Sequence, residues 1–163
     1  MIALQGTPGP ATVTLIGDRE LVIERTFAAP RTRVFEAITK PEHVRRWYGL
    51  RDHSMAVCEI DLRVGGRWRY VMREPGGQEF AFSGEYRELE PPTRLVSTEL
   101  FEGMPGTDYL VTVTLDDVDR RTVLRSHLVY QSPKHRAGHI QSGMEWGMNE
   151  TYNRLEELLA SLS

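Results

Sequence analysis

The residues most suited to forming a site are aromatic. Trp68 and Tyr70 alternate along one segment, Phe80, Phe82 and Tyr86 fall in the next, and Phe101 and Tyr109 flank a loop. In an extended chain, residues two apart share a face, so these rings converge on one side of a sheet. That is more ring surface than a thin helix–sheet seam needs, and each Tyr or Trp needs a partner for its polar atom. A partly hollow interior with a few polar handles meets both demands. Met144 and Met148, with Gly143 and Gly147 beside them and Tyr152 one turn on, supply an adaptable opposite wall. Trp47 stands just before Gly49, either at the mouth of such a cavity or as an anchor between helix and sheet. The expected lining is therefore Trp47, Trp68, Tyr70, Phe80, Phe82, Tyr86, Phe101, Tyr109, Met144, Met148 and Tyr152, and the expected partner is an apolar small molecule.

Other chemistry-bearing residues point less far. Glu59, Asp61, Glu85 and Glu99 interrupt apolar strands. An inward carboxylate would have a raised pKa and serve as a general acid or base. Strand alternation allows either facing, and the arginines nearby place the weight on a solvated face. His127 has no assigned facing. His135 and His139 are four apart, as metal ligands on a helix are, but no third ligand accompanies them. Cys58 reads as an inert buried thiol. There is no phosphate-binding glycine loop, nucleophile elbow or Cys–His couple. No catalytic residue, metal or cofactor is assigned.

The 163 residues carry 20 basic and 23 acidic side chains without a basic run, which argues against nucleic-acid binding. No apolar stretch is long enough to span a bilayer, no signal pattern opens the chain, and one cysteine forms no internal disulfide. A cytoplasmic location is expected.

The elements that must position these residues follow from period and punctuation. Residues 1–11, rich in Gly and Pro, read as a flexible lead-in, and residues 12–163 as one domain. Val13–Phe27 reads as a hairpin, or as one long strand with a bulge at Gly17-Asp18. Pro30 opens a short helix, and Thr39 with Glu42 suggests a capping box for a second, over Pro41–Tyr48. About six meandering strands follow, separated by short turns that favour antiparallel neighbours. Ile140, Met144, Met148, Tyr152, Leu155, Leu159 and Leu162 then give one helical stripe, capped by Ser132 and opened by Pro133. The stripe passes from methionine to leucine, as in a helix sealed at one end and lining a space at the other. The fold class is α+β: a curved antiparallel sheet of six to seven strands wrapped around a long C-terminal helix, with two short helices after the first strand.

The segments "RTFAAPRTRVFEAITKPEHVRRWYG", "IDLRVGGRWRYV", "GEYRELEPPTRLVSTELF" and "SGMEWGMNETYNRLEELL" resemble the SRPBCC superfamily. Within it they resemble the branch related to the C-terminal domain of the activator of the heat-shock-protein-90 ATPase. The resemblance covers roughly residues 20–160 and implies the helix-grip fold, with a hydrophobic cavity under the last helix. Trp47, Gly49, the Gly65-Gly66 pair and "GMEWGM" at residues 143–148 match the branch; Tyr48 and Leu50 depart from its more usual Trp and Pro. The superfamily's carriers, aromatase/cyclases and chaperone regulators define three expectations. The first is a hydrophobic-ligand binder. The second is a cyclase- or hydratase-like enzyme using an inward carboxylate or tyrosine. The third is a chaperone-linked interaction module. Trp146, off the stripe, is a candidate homodimer contact.

Overall fold

A computed structural model describes residues 10–162. The lead-in expected over residues 1–11 lies, up to residue 9, outside the described residues. Thr12–Ile16 (β1) and Glu20–Phe27 (β2) form the expected hairpin. Two short helices follow, Arg31–Thr39 (α1) and Pro41–Trp47 (α2). The chain then runs through Ser54–Ile60 (β3), Arg67–Arg73 (β4), Glu79–Glu90 (β5), Arg94–Phe101 (β6), Tyr109–Val118 (β7) and Arg121–Val129 (β8). Pro133–Gln141 (α3) and Met144–Ser161 (α4) complete it.

All strand pairs are antiparallel, in the order β1-β2-β8-β7-β6-β5-β4-β3. The short turns dictate this, because each meandering strand pairs with its predecessor and β2 closes onto β8. The sheet has eight strands rather than six or seven, because the Gly17-Asp18 turn makes β1 a strand of its own. Register shifts at Met55/Val57 and Tyr86/Glu88 mark irregularities that bend strands. The helix-grip expectation holds: the last helix packs on the inner face of an α+β fold.

The core sits at one end of that grip. Leu155, Leu158 and Leu159 of α4 join Phe27, Leu95, Leu115 and Leu124 of the sheet and Val34, Phe35 and Ala37 of α1. Each fully buried Leu or Phe contributes roughly 1.5–3 kcal/mol of transfer free energy, so this block dominates stability. Arg25 also points inward from β2, donating to Asn153 Oδ1 at 2.8 Å with its guanidinium over the Phe27 ring. Nothing in the alternation announced it, since Arg25 takes an inner position otherwise held by Leu21, Ile23 and Phe27.

Two local expectations are corrected. The C-terminal helix is two helices, because Ser142 closes α3 and Gly143 takes φ +86° before α4 begins. A left-handed residue ends a helix, and glycine adopts that conformation without a Cβ penalty. Thr39 forms no capping box: its hydroxyl donates to the Phe35 carbonyl of its own helix, and Lys40 holds the N-cap position of α2 without a side-chain cap. Ser132 caps as expected, its hydroxyl accepting from the His135 N–H, with Pro133 next.

Candidate functional site

A cavity of about 1480 Å³ lies between the sheet and the helices, and all eleven residues expected to line it do so. They reach it by different routes. Tyr70 and Phe82 are cross-strand partners on β4 and β5, and Phe82 and Phe101 on β5 and β6, so the strand period carries the rings across three strands. Trp68 and Tyr70 lie 4.7 Å apart between ring centroids, Phe82 and Phe101 5.4 Å. Trp68 is paired with Gly84, where a Cβ would lie 2.6 Å from the indole nitrogen and 1.9 Å from the Thr98 carbonyl oxygen. Only glycine at that point lets the indole lie against the strand.

Trp47 is both a lining residue and an anchor. Its indole N–H donates to the Ala37 carbonyl at 2.8 Å and its ring joins the main core. Met144 and Met148 stay half-buried, packed beside Leu21, Ile23, Leu128 and Tyr130. Tyr152 meets Phe27 edge-on at 5.6 Å and marks the passage from hollow to filled. Trp146 is 66% exposed at the rim.

The polar interior contains residues that the aromatic pattern did not supply. Glu99 faces the cavity, correcting the solvated facing expected of it. Leu95, Ser97, Glu99 and Phe101 alternate on one face of β6, and the inward placement of Phe101 already carried Glu99 with it. Glu99 is the register partner of Tyr109, whose hydroxyl donates to its Oε2. Desolvation raises the Glu99 pKa above the usual carboxylate value, and the Tyr109 hydrogen bond offsets part of that. Glu59 and Asp61 are exposed outside; Glu59 lies opposite Arg69 and Asp61 accepts from Arg63 at 2.9 Å. Glu85 is likewise held by a cation, Arg87 at 2.8 Å. His127 pairs with Glu20 at 2.7 Å.

Tyr48 joins the wall through ring contacts with Tyr70 at 4.8 Å and Phe82 at 6.3 Å. Arg154 of α4 fixes this turn, donating to the carbonyls of Gly49 at 2.8 Å and Arg46 at 2.9 Å. Tyr130 stacks 4.9 Å from Tyr109 and shares a hydrogen bond with His139 Nδ1. Burial lowers the His139 pKa, which favours neutral imidazole. Burial raises the pKa of Tyr48, Tyr70, Tyr86, Tyr109, Tyr130 and Tyr152, so these phenols stay protonated and act as donors. His135 and His139 both line the cavity, yet no group of three or more ligating side chains stands together among the described residues. Cys58 is buried, its Sγ 3.9 Å from the Pro41 carbonyl, and burial raises its thiol pKa. No described helix is long and apolar enough to cross a membrane.

Solved structures share this architecture over nearly the whole chain. A protein from Rhodobacter sphaeroides is 29% identical, with a TM-score of 0.89 over 94% of this chain and 99% of that one. A protein from Nitrosomonas europaea is 26% identical, with a TM-score of 0.81 over 90% of this chain and 97% of that one. The AHSA1-like protein from Aeromonas hydrophila is 23% identical, with a TM-score of 0.70 over 88% and 95%, a likeness that bears on fold alone. Comparison with curated proteins yields no match. The family model "Activator of Hsp90 ATPase homolog 1-like protein" matches residues 28–160, the span that holds both helix pairs and most of the sheet. The chain belongs to that family.

Proposed function

We propose that the protein binds a largely apolar small molecule between the sheet and the N-terminal half of α4. The observation that carries this reading is the 1480 Å³ cavity, whose wall is mostly aromatic rings, aliphatic side chains and four methionines. Ligand pockets combine this sort of apolar wall with a few fixed donors and acceptors. Tyr48 and Tyr70 supply the donors, and Glu99 the acceptor. A panel of hydrophobic ligands of graded length tests it by thermal melting. A ligand at about 100 times its dissociation constant stabilises by roughly 2.7 kcal/mol, which moves the melting temperature visibly. Saturable shifts are expected. A panel in which no member raises the melting temperature overturns the reading.

A second reading, catalysis in the same cavity, is favoured by one observation: Glu99 combines a raised pKa with a tyrosine hydrogen-bonded to it. A carboxyl group tuned upward by burial suits proton transfer near neutral pH. Incubation of bound ligands with wild type and Glu99→Gln separates this from carriage. Turnover in wild type alone marks an enzyme, and unchanged ligand in both marks a binder.

A further inference from the structure

We propose that the cavity selects a hydrophobic guest whose polar end is a protonated amine, with Glu99 as its counter-charge. This rests on the reading that the cavity holds an apolar guest, and adds the chemistry of that guest's head. Glu99 sits on β6 opposite Tyr109, facing the cavity with one oxygen engaged by the phenol. Its charge reaches far across the interior. Besides burial, it contributes to the raised pKa of Tyr48, Tyr70, Tyr109, Tyr130 and Tyr152, which stand on five different elements or turns around the space.

Among the described residues no arginine, lysine or histidine forms an ion pair with Glu99. Among the described lining residues there is no arginine, and one lysine, Lys134 at the start of α3. Glu74 and Glu79 add acidic groups to the lining, the latter paired with Arg73. Of the lining histidines, His139 is held neutral by burial beside Tyr130, and His53 is bound to Asp52. His135 lies next to Lys134 on α3. A carboxylate removed from water without a cation is unfavourable, and a guest ammonium relieves that cost. The walls act in the same direction. Aromatic faces carry negative charge density and attract cations within about 6 Å, more strongly when water is excluded. Tyr109, which holds the carboxylate through its hydroxyl, lies 4.9 Å from the ring of Tyr130, so two such rings stand in the same part of the cavity. A guest ending in a carboxylate would meet a like charge in the same surroundings.

The experiment compares decylamine, decanol and decanoate, which share one chain and differ in head group, by isothermal titration at fixed pH and ionic strength. Wild type should bind decylamine about tenfold more tightly than decanol, the scale of one charge-assisted hydrogen bond, with decanoate weakest. Glu99→Gln should bring decylamine and decanol to within about twofold of each other, chiefly by weakening decylamine. Decanoate binding as tightly as decylamine, or an amine preference that survives Glu99→Gln, overturns the inference. The wild-type ranking decides by itself if the variant folds poorly. Decanol binding without any preference for the amine sinks this inference and leaves the cavity reading standing. Failure of all three ligands sinks both.

Discussion

The two ends of α4 lie on the same sheet and are built differently. At the C-terminal end Leu155, Leu158 and Leu159 are no more than 4% exposed and pack in one cluster with side chains of the strands and α1. At the N-terminal end no residue before Leu155 is buried, and Met144, Met148 and Tyr152 look across the cavity at aromatic rings. The difference follows from side-chain shape. Leucines interdigitate at close-packed density, whereas the longer, unbranched methionine side chain suits the edge of an irregular space. A filled core and an open space are thus separated along one helix, and each half should be open to disturbance without the other.

The sharpest way to break that comparison is truncation at each end. Leu155→Ala should cost about 2–5 kcal/mol in urea denaturation, because it opens a cavity in a filled core. Met148→Ala, bordering a space already present, should cost about 1 kcal/mol or less. Equal costs would mean that the two ends are packed alike. Gly84→Ala comes next. Its Cβ would press on the Thr98 carbonyl and the Trp68 indole, so a loss of about 1–3 kcal/mol is expected, together with a change in tryptophan fluorescence. A neutral outcome would show that β5 can move away from Trp68.

This contrast is legible in part in the sequence. The passage from methionine to leucine along a helical stripe, and the alternation that turned Trp68, Tyr70, Phe80 and Phe82 inward, follow from the periods 3.6 and 2. The break between α3 and α4 was not legible from periodicity, because Ile140, Met144 and Met148 keep helical spacing across it. Gly143 is its signal, taken in the sequence as part of an adaptable wall rather than as a left-handed stop. Glu99 was misread for a related reason. Charge argued outward, but the strand period tied it to Phe101, and geometry prevailed over composition. Tyr48, at the end of a seven-residue helix, gave no periodic signal for its inward ring.

Smaller effects sharpen the picture. Ser132→Ala removes the N-cap of α3 and should cost about 1 kcal/mol or less, since α3 buries no residue. Hydrogen exchange should register the change in α3 amides and leave those of α4 near Leu155 untouched. The Glu99→Gln effect is a dependence on pH. Glu99 has a raised pKa in the folded state, so its stabilising contribution is complete below the unfolded carboxylate value. That contribution is lost as pH rises through the folded value. The stability of Glu99→Gln relative to wild type should therefore increase across that window. Groups common to both proteins, Tyr109, Tyr130 and His139 among them, largely cancel in the difference. A flat difference would show Glu99 to be as solvated as a surface carboxylate.

The methionine end of α4 borders open space, which the proposed guest would fill. Filling that space tests this most directly: decanol titrated into wild type and Met148→Trp, with melting temperature as the readout. The two proteins should melt at similar temperatures without ligand, and decanol should give a saturable rise in wild type which the tryptophan removes. An unliganded Met148→Trp protein that is strongly destabilised, or one that responds to decanol as wild type does, would contradict it.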